Sequence, residues 1–338
     1  MKPRKLLITG GAGFIGSNFT KYIFGKYRDL EITVLDKLTY AGNTENLREL
    51  EGSPRYKFIR GDICDEKAVA GAARGVDCII NFAAETHVDR SIGDPASFIK
   101  TDVYGTYVLL EATRALNIPK FIQISTDEVY GNAGDEPSAE TSPLMPQSPY
   151  AASKAGADRL AYSYYVTYGT PVVITRCSNN YGPNQYPEKM VPLFITNALE
   201  DKPLPVYGTG TNTRDWIHVL DHARALEMAI AADGLEGEVL NVGSGVEIGV
   251  LDMADLILKA LGKPKSLIQM VKDRPGHVLR HAVKTDKIRS RLGWKCETDF
   301  ESGLAATVEW YVKNRRWWEP IKNGEFLDYY KRMYSEIA

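Results

Sequence analysis

The sequence predicts an α/β fold in which a doubly wound parallel sheet is joined to a smaller α/β lobe. Short apolar runs such as Lys5–Thr9 and Asp77–Phe82 alternate with helical patterns. That alternation indicates parallel strands connected by right-handed crossovers. Polar residues follow several of these strands, and the carboxyl ends of parallel strands meet at one edge of a sheet. After about residue 178 the alternation loosens, which predicts the second lobe.

The composition is that of an ordinary globular protein. The chain has 338 residues, of which 44% are hydrophobic and 25% are charged, enough for a sizeable core. The net charge of −2 gives no long-range attraction to nucleic acid or to an anionic membrane, so neither is an expected partner. No apolar run reaches the roughly 18 residues that a membrane helix needs. Met1–Lys5 leads directly into a strand and not into a signal peptide, so the cytoplasm is the expected compartment.

Cysteine and histidine spacing gives no indication of a metal site or of a disulfide framework. The four cysteines lie far apart and form no Cys-x-x-Cys pair. Cys78 and Cys177 fall in apolar, strand-like runs, which predicts small core residues. His218 and His222 are four residues apart but straddle a predicted strand-to-helix junction, so we favour a structural role for both.

A glycine-rich turn follows the first predicted strand. Gly10, Gly13 and Gly16 form a Gly-x-x-Gly-x-x-Gly pattern between Lys5–Thr9 and a helix predicted over Ser17–Tyr27. Such a turn lets the backbone approach a pyrophosphate at the N-terminus of a helix, where unpaired N–H groups favour an anion. A merely tight turn is the alternative. The order strand, turn, helix and strand favours a dinucleotide site in a Rossmann-type sheet.

The second predicted strand, Glu31–Leu35, is followed by Asp36, twenty residues after Gly16. A carboxylate at this place can accept hydrogen bonds from both ribose hydroxyls and would repel a 2′-phosphate. The sequence therefore favours NAD over NADP, and the neighbouring Lys37 leaves the choice open.

Two stretches later in the chain indicate acid–base chemistry. Asp127 and Glu128 stand side by side after the apolar run Phe121–Ile124, and adjacent carboxylates in a closed site separate in pKa. Tyr150 and Lys154 share one face of a predicted helix, and an ammonium beside a phenol lowers the phenol pKa from about 10. A phenol tuned in this way can take a proton from a hydroxyl near neutral pH. Each pattern alone also occurs by chance, so their combination carries the interpretation.

The predicted domain division places a Rossmann domain at residues 1–178, with a return at about 216–243, and a nucleotide-sugar lobe at 179–215 and 244–338. Further strands are expected at Tyr56–Ile59, Val172–Arg176, Trp216–Val219 and Val239–Val242. Further helices are expected at Pro95–Leu116, Pro149–Tyr168, Met190–Leu199, Asp221–Ala231 and Leu251–Leu261.

Several motifs resemble a known family. Thr9–Gly16 together with Tyr150-x-x-x-Lys154 resembles the extended short-chain dehydrogenase/reductases, and within them the dTDP-glucose 4,6-dehydratases. The adjacent acids Asp127 and Glu128 are the most specific mark, because the related nucleotide-sugar 4-epimerases usually lack them. The resemblance covers nearly the whole chain. The other matching stretches are Asp36–Asn43, Ala83–Ile92, Ser125–Gly131, Cys177–Pro183, Pro187–Lys189, Arg214–Trp216 and Asp273–His277.

The resemblance implies a hydro-lyase that uses NAD and acts on dTDP-glucose. Tyr150, held by Lys154, would remove the O4 proton as C4 is oxidised, and Thr126 would hydrogen-bond O4. Glu128 would then take the C5 proton while Asp127 protonates the departing O6. Reduction at C6 would give dTDP-4-keto-6-deoxy-glucose, a step towards deoxysugars such as rhamnose.

The resemblance also implies the binding residues. Arg214 and Arg274 are the expected ligands of the diphosphate, because guanidinium groups match phosphate geometry. The residues expected at NAD are Gly10, Gly13, Phe14, Ile15, Gly16, Asp36, Lys37, Leu38, Thr39, Asp62, Ile63, Ala83, Ala84, Thr101, Tyr150, Lys154 and Asn180. The residues expected at the nucleotide sugar are Thr86, Thr126, Asn179, Lys189, Pro205, Tyr207, Arg214, Asn241, Arg274 and His277.

The chain departs from the family pattern at two informative places. Thr86 stands where the family more often has serine, which keeps the hydroxyl, and His281 replaces a frequent tyrosine and bears on the nucleotide end. A homodimer is implied through the helices predicted at Pro95–Leu116 and Pro149–Tyr168, and packing within one monomer is the alternative. The tyrosines expected at that interface are Tyr162, Tyr164, Tyr165 and Tyr168.

Three other functions stay open. UDP-glucose could replace dTDP-glucose, because thymine and uracil differ by one methyl group, worth only about 1 kcal/mol in an apolar pocket. A nucleotide-sugar 4-epimerase is disfavoured by Asp127 and Glu128. A non-catalytic binding protein is disfavoured because it has no need of Thr126, Tyr150 and Lys154.

Overall fold

The computed structural model describes residues 3–334 of the chain. Met1 and Lys2, on which the prediction for the N-terminus partly rests, lie outside the described residues, as do residues 335–338. The strands are β1 (Lys5–Thr9), β2 (Glu31–Asp36), β3 (Tyr56–Arg60), β4 (Cys78–Asn81), β5 (Phe121–Thr126), β6 (Val172–Cys177), β7 (Asn179–Tyr181), β8 (Leu204–Tyr207), β9 (Thr213–His218), β10 (Val239–Val242), β11 (Glu247–Gly249), β12 (Ile268–Val271) and β13 (Arg280–His281).

The α-helices are α1 (Phe14–Lys26), α2 (Glu66–Ala72), α3 (Val88–Gly93), α4 (Pro95–Phe98), α5 (Gly105–Ala115), α6 (Pro149–Tyr168), α7 (Met190–Leu199), α8 (Val219–Ala231), α9 (Val250–Leu261), α10 (Asp286–Leu292), α11 (Phe300–Lys313), α12 (Arg315–Trp318) and α13 (Glu325–Met333). A π-helical segment covers Ile99–Tyr104, and short 3-10 turns cover Thr44–Leu50, Asp127–Tyr130 and Lys265–Leu267. Between residues 3 and 334, no helix is both long enough and apolar enough to cross a membrane.

A seven-stranded parallel sheet forms the centre of the first lobe, in the order β10-β6-β5-β4-β1-β2-β3. The chain builds outward from β1 to β3 on one side and from β4 to β10 on the other. The strand order therefore reverses between β1 and β4, and open α/β sheets bind ligands beyond the carboxyl ends of the strands at such a point. The predicted doubly wound α/β fold is confirmed.

Most predicted elements agree with the structure to within a few residues, because their local signals are strong. α6 spans Pro149–Tyr168 as predicted. Its first turn is capped by the Ser148 side chain, and it ends at Gly169, whose φ of 68° suits a residue without Cβ. Cys78 and Cys177 are buried in strands, as predicted.

The helix predicted over Pro95–Leu116 is interrupted. α4 and α5 are separated by the π-helical segment, in which the hydrogen bonds span five residues. Apolar periodicity cannot reveal this change, because an extra residue in one turn leaves both flanking patterns intact. The segment carries Asp102, which is 2% exposed, into the interior behind the cavity described below.

The second lobe has its own core. β7, β9, β11 and β13 form one sheet, and β8 pairs with β12. Buried side chains of α7, α9 and α11 pack around them, among them Phe194, Ile257 and Tyr311. The chain returns to the first lobe through α8, which packs against α1, and through β10, which completes the large sheet. We propose the two-lobe division on this basis, with the boundaries predicted from the sequence.

A buried ion pair ties β6 to α6. Arg176, 1% exposed, donates to Asp158 from Nε at 2.8 Å and from Nη2 at 2.9 Å, and to the Tyr130 hydroxyl at 2.7 Å. Burial alone would raise the pKa of Asp158, but Arg176 more than offsets it and holds that pKa below its usual value. Because Tyr130 follows Asp127 and Glu128 closely in the chain, this pair also anchors the segment that carries both acids.

We expect Arg176→Met to lower the free energy of unfolding by about 3 kcal/mol, because it leaves the buried Asp158 carboxylate with only the half-exposed Arg159 as a cation. Urea unfolding monitored by circular dichroism measures the change. The double variant Arg176→Met with Asp158→Leu should recover much of the loss, since removing both charges is often neutral. Equal stability of the single variant and the wild type would show that the pair does not stabilise the fold.

Candidate active site

One large cavity, of about 400 Å³, opens at the carboxyl ends of the first-lobe strands and extends between the two lobes. Its wall contains all five predicted catalytic residues: Thr126, Asp127, Glu128, Tyr150 and Lys154. Every other predicted binding residue also lines it, except Leu38 and Asn241. The tertiary structure thus brings together residues from positions 10 to 277 of the sequence.

The glycine turn lies at the point where the strand order reverses. Gly10 has a φ of 67°, and a Cβ at this position would lie 2.5 Å from the backbone nitrogen of Ala83. A Cβ at Gly16 would collide with the carbonyl oxygen of Gly10. α1 starts after Gly13 without a side-chain cap and without an acid in its first turn. Its free backbone N–H groups can therefore donate hydrogen bonds to an anion. The turn therefore fits a pyrophosphate.

Asp36 is fixed at the end of β2 by two backbone donors. Its carboxylate accepts hydrogen bonds from Ala12 N at 2.9 Å and from Leu38 N at 2.8 Å. Burial raises the pKa of Asp36, and both donors oppose that rise. Lys37 pairs with Asp62 at 2.8 Å, so its charge is already engaged beside the carboxylate.

The structure corrects the prediction for Leu38. This residue has a φ of 56°, and its side chain packs against the first-lobe core instead of lining the cavity. Its contribution to the site is the backbone N–H that holds Asp36. A left-handed leucine gives no signal in a sequence pattern, because this conformation is normally found at glycine or asparagine.

The two adjacent acids differ in their surroundings. The Thr126 hydroxyl donates to Asp127 Oδ1 at 3.2 Å and accepts from Glu128 N at 3.3 Å, which fixes the turn after β5. Asp127 is 3% exposed, and its Oδ2 has no hydrogen-bond partner in the described part of the chain. Burial and the charge of Glu128 raise the pKa of Asp127 well above its usual value.

Glu128 faces three cations. Burial raises its pKa, and the charges of Arg274, Arg214 and Lys189 oppose that rise. Asp127 has weaker compensation, since only Arg214 and Thr126 act against its burial. The pKa of both acids is raised, that of Asp127 more strongly, so Asp127 is the one of the pair that keeps a proton more readily.

Tyr150 and Lys154 both line the cavity, but the pKa of Tyr150 shifts in the direction opposite to the predicted one. Lys154 Nζ donates to the carbonyl oxygen of Ile124 at 2.6 Å, and burial lowers its pKa. Burial, together with the Glu128 charge, raises the pKa of Tyr150 well above its ordinary value, the opposite of the expected direction. The spacing correctly placed both groups in the cavity, but it could not show the loss of solvation and the negative charge of Glu128 that raise the pKa of Tyr150.

Asp102 was not predicted as a site residue, but its hydrogen bonds position the segments around Tyr150 and Lys154. Its two carboxylate oxygens accept from the backbone nitrogen of Glu85 at 2.8 Å and from the Ser153 hydroxyl at 2.6 Å. Burial raises the pKa of Asp102 to about 6, and the charge of Lys154 opposes it. One carboxylate thus joins the loop after β4 to the helix that carries Tyr150. The available signal was a charged residue on the apolar face of a helical pattern.

The second-lobe end of the cavity is rich in guanidinium groups. Arg274 donates to Asp89 at 3.0 Å, and its buried Nε has no partner within residues 3–334. Arg214 donates to the carbonyl oxygens of Thr213, Val278 and Leu279. Burial lowers the pKa of Arg214 to about 10. Two largely buried cations beside a cavity suit a diphosphate.

The structure also corrects the prediction for Asn241. Its side chain is fully buried in β10 and lies outside the cavity wall. Its Nδ2 donates to the carbonyl oxygens of Ser138 and Lys284, and its Oδ1 accepts from the Tyr130 hydroxyl at 2.7 Å. These bonds hold the amide inside the protein, so Asn241 joins the loop before α6 to the sheet and lies outside the cavity wall.

Ion pairs between the lobes close the cavity. Arg90 of α3 donates to Glu188 at 2.8 Å, and its guanidinium carbon lies 3.6 Å from the centre of the Tyr40 ring. The residue before Arg90, Asp89, likewise forms an ion pair with Arg274 of the second lobe. These acids fall inside stretches that matched the family, Ala83–Ile92 and Pro187–Lys189, but nothing in the sequence singled them out.

The parallel sheet, the glycine turn and the group of acids, phenol and lysine define a Rossmann-type enzyme of the short-chain dehydrogenase/reductase class. Residues 7–307 match the family model described as GDP-mannose 4,6 dehydratase. A dTDP-glucose 4,6-dehydratase of Streptomyces niveus is 49% identical over 325 residues, which cover 95% of this chain and 96% of the relative. An Actinoplanes dTDP-glucose 4,6-dehydratase is 50% identical over 93% of this chain and 99% of the relative. The chain belongs to this 4,6-dehydratase family.

Solved structures of related enzymes have the same fold as this chain. The crystal structure of DesIV, a dTDP-glucose 4,6-dehydratase from Streptomyces venezuelae solved with NAD and a second ligand bound, matches with a TM-score of 0.92 and 48% identity, over 94% of this chain and 100% of that chain. A UDP-glucuronic acid 4-epimerase from Bacillus cereus matches with a TM-score of 0.87 and 30% identity, over 91% and 99% of the two chains. The fold is thus shared with epimerases, so the fold alone does not identify the reaction.

We expect Asp102→Asn to shift the alkaline limb of the pH profile of kcat/KM downward by roughly one unit. Burial lowers the pKa of Lys154 and the Asp102 charge opposes this, so removing the charge makes the ammonium lose its proton at a lower pH. The pH dependence of substrate conversion measures the shift.

Ser153→Ala is the matched control, because it removes the hydrogen bond to Asp102 and keeps the charge. Its alkaline limb should remain at the wild-type position. A folded Asp102→Asn variant with an unchanged alkaline limb would show that the carboxylate acts only through its hydrogen bonds.

Proposed function

We propose that this protein is an NAD-dependent dTDP-glucose 4,6-dehydratase that forms dTDP-4-keto-6-deoxy-glucose. The observation that carries the proposal is the buried pair Asp127 and Glu128 beside Tyr150 in one cavity, where the pKa of Asp127 is raised more strongly than that of Glu128. Family membership at about half identity over nearly the full length supports the reaction and the nucleotide.

The residues of the first lobe fit NAD. The cradle formed by Gly10 and Gly16 leaves no room for a side chain, so the backbone can meet a pyrophosphate. Asp36 offers a fixed carboxylate to the adenosine ribose and disfavours the 2′-phosphate of NADP. When bound, NAD supplies the redox chemistry, taking a hydride from C4 of the sugar and returning it to C6.

Tyr150 is the base for the first step, in which the O4 proton leaves as C4 is oxidised. Thr126 hydrogen-bonds the same oxygen and holds it in line. Burial makes the Tyr150 phenolate unfavourable, so the site needs a compensating positive charge at the moment of transfer. Lys154 supplies part of it, and the oxidised nicotinamide ring is itself positively charged.

The elimination uses both acids. The C4 ketone acidifies the C5 proton, which Glu128 accepts as a carboxylate. Asp127, kept protonated by burial, donates its proton to O6, so that water leaves from C5 and C6. Glu128 then returns a proton to C5 when C6 is reduced. Arg214 and Arg274 would hold the diphosphate and so keep the sugar beside Asp127, Glu128 and Tyr150.

The direct test mixes the purified protein, with and without added NAD, with dTDP-glucose and separately with UDP-glucose. We expect mass loss of one water and a 4-keto-6-deoxy product from dTDP-glucose only, with NAD but not NADP restoring activity to protein stripped of cofactor. Mass spectrometry and the alkali-induced absorbance of the keto sugar detect the product. Isomerisation without mass change would instead establish an epimerase, and no conversion of either sugar would refute the proposal.

We expect the double variant Asp127→Asn with Glu128→Gln to lose dehydration by about 10²–10⁴-fold, because proton transfer at C5 and O6 is removed. Oxidation at C4 should partly survive, so NADH formation in a single turnover separates the two steps. Asp135→Asn with Glu136→Gln is the matched control, since it changes an adjacent acid pair that is exposed. Full dehydration by the first variant would refute the assigned roles.

The protein is further proposed to form a homodimer in the cytoplasm. Exposed apolar side chains lie on α5, the π-helical segment and α6, and these elements pack against one another; we infer that they form one apolar face. Tyr164 is not part of this face, because it is buried and its hydroxyl donates to Glu111 at 2.6 Å. The exposed members are Ile99, Tyr104, Tyr107, Tyr162, Tyr165, Val166 and Tyr168. Cell fractionation tests the compartment.

We expect Val166→Glu to convert the dimer to a monomer, because Val166 is 63% exposed in the middle of the apolar face and a charge buried there lacks a partner. Light scattering after size-exclusion chromatography measures the mass. Met270→Glu, an exposed apolar position on β12 in the second lobe, should leave the dimer intact. A wild-type protein that elutes as a monomer would refute the dimer.

A further inference from the structure

A second, much smaller cavity lies behind Glu128. Its volume is about 10 Å³, and its wall includes Glu128, Arg214, Arg274 and His281. This volume is close to the lower limit for one water molecule. The backbone covers it closely, because a Cβ at Gly276 would lie 2.5 Å from the carbonyl oxygen of Gln147. The space is thus small, and its wall combines apolar side chains with the polar groups of Glu128, Arg214, Arg274 and His281.

His281 is a buried residue in the wall of this cavity. The residue is 4% exposed, and neither of its ring nitrogens has a hydrogen-bond partner among the described residues. β13 runs parallel to β9, with His281 in register opposite Arg214, so the backbone fixes its position. Leaving a buried polar group unpaired costs about 1–3 kcal/mol, which implies a partner in the adjoining space.

Two other groups at this cavity, one donor and one acceptor, can hydrogen-bond to the same molecule. Arg274 Nε is a buried donor without a partner in the part of the chain that the structure describes. The Glu128 carboxylate is an acceptor on the same wall. Burial and the charges of Arg214, Arg274 and His277 hold the pKa of His281 well below its usual value, so its imidazole is neutral and can accept a hydrogen bond.

We propose that this cavity binds one water molecule that links Arg274, His281 and Glu128, and that His281 is a positioning residue for Glu128. The water accepts a hydrogen bond from Arg274 Nε–H, donates one O–H to His281 and donates the other to the Glu128 carboxylate. Three hydrogen bonds are typical of a buried water. The inference rests on the proposed function, in which Glu128 is the base at C5.

The hydrogen bond to Glu128 favours its ionised form, which is the form that takes the C5 proton. This water acts together with the charged and titratable groups that already surround the carboxylate and the imidazole. Those groups are Arg274, Arg214, Lys189, Asp89, Asp127, Tyr150 and His277. Removing His281 leaves the water without its second acceptor and therefore weakens its hold on Glu128.

A high-resolution crystal structure of the wild-type protein tests the site itself. We expect one electron-density peak within hydrogen-bond distance of His281, Arg274 Nε and Glu128. If other buried waters are visible and this cavity contains no density, the proposal is overturned. This measurement does not depend on any activity, so it remains decisive even if the protein converts neither nucleotide sugar.

The pH dependence of kcat tests the role of His281. His281→Phe removes both nitrogens, and we expect the acid limb of kcat to move upward by about one pH unit. The pKa of Glu128 rises when a hydrogen bond to its carboxylate is lost, so a higher pH is needed to ionise it. KM should be unchanged, and NADH should accumulate in a single turnover because C4 oxidation outpaces elimination.

His281→Asn tests rescue, because its amide oxygen can accept the water's hydrogen bond and should return the acid limb towards the wild-type position. His218→Phe is the matched control: it removes a buried imidazole from neighbouring β9 without altering this cavity. A folded His281→Phe variant with a wild-type acid limb refutes the positioning role. Absence of dehydration by the wild type would refute the proposed function instead, and the crystal structure would still decide the water site.

Discussion

Charged side chains that are largely buried share one cavity, and this loss of solvation governs the site. It raises the pKa of Asp127 and Tyr150 and lowers that of Lys154 and Arg214. A low-dielectric environment makes an unpaired charge costly and a paired one effective. The site therefore works through its compensating partners: Asp102 offsets the burial of Lys154, and three cations offset the burial of Glu128.

The fold supplies these partners from distant parts of the chain. Parallel strands bring the carboxyl ends of β1, β4, β5 and β6 to one edge, where the glycine turn, the loop after β4 and the two acids meet. The second lobe adds Lys189, Arg214 and Arg274 from the opposite side. Ion pairs such as Arg90–Glu188 and Asp89–Arg274 hold the lobes together around the cavity.

Comparison with epimerases shows why the acid pair matters. A 4-epimerase shares the fold at a TM-score of 0.87, so the sheet and the glycine turn do not define the reaction. Oxidation at C4 needs a base at O4, whereas loss of water also needs a base at C5 and an acid at O6. The roles proposed for Asp127 and Glu128 would meet that need, and these two residues are consecutive at the end of one strand.

The sequence by itself determined the fold class, most strands and helices of the first lobe, and a set of site residues of which nearly all line the cavity, because those follow from local periodicity, glycine positions and recognisable motifs. Only the tertiary structure decided which groups are buried and what each one faces. It placed Asn241 and Leu38 outside the cavity, inserted a π-helical segment at Asp102 and reversed the expected direction of the Tyr150 pKa. Periodicity records which face of an element is apolar, whereas solvation and electrostatic pairing depend on residues far apart in the chain.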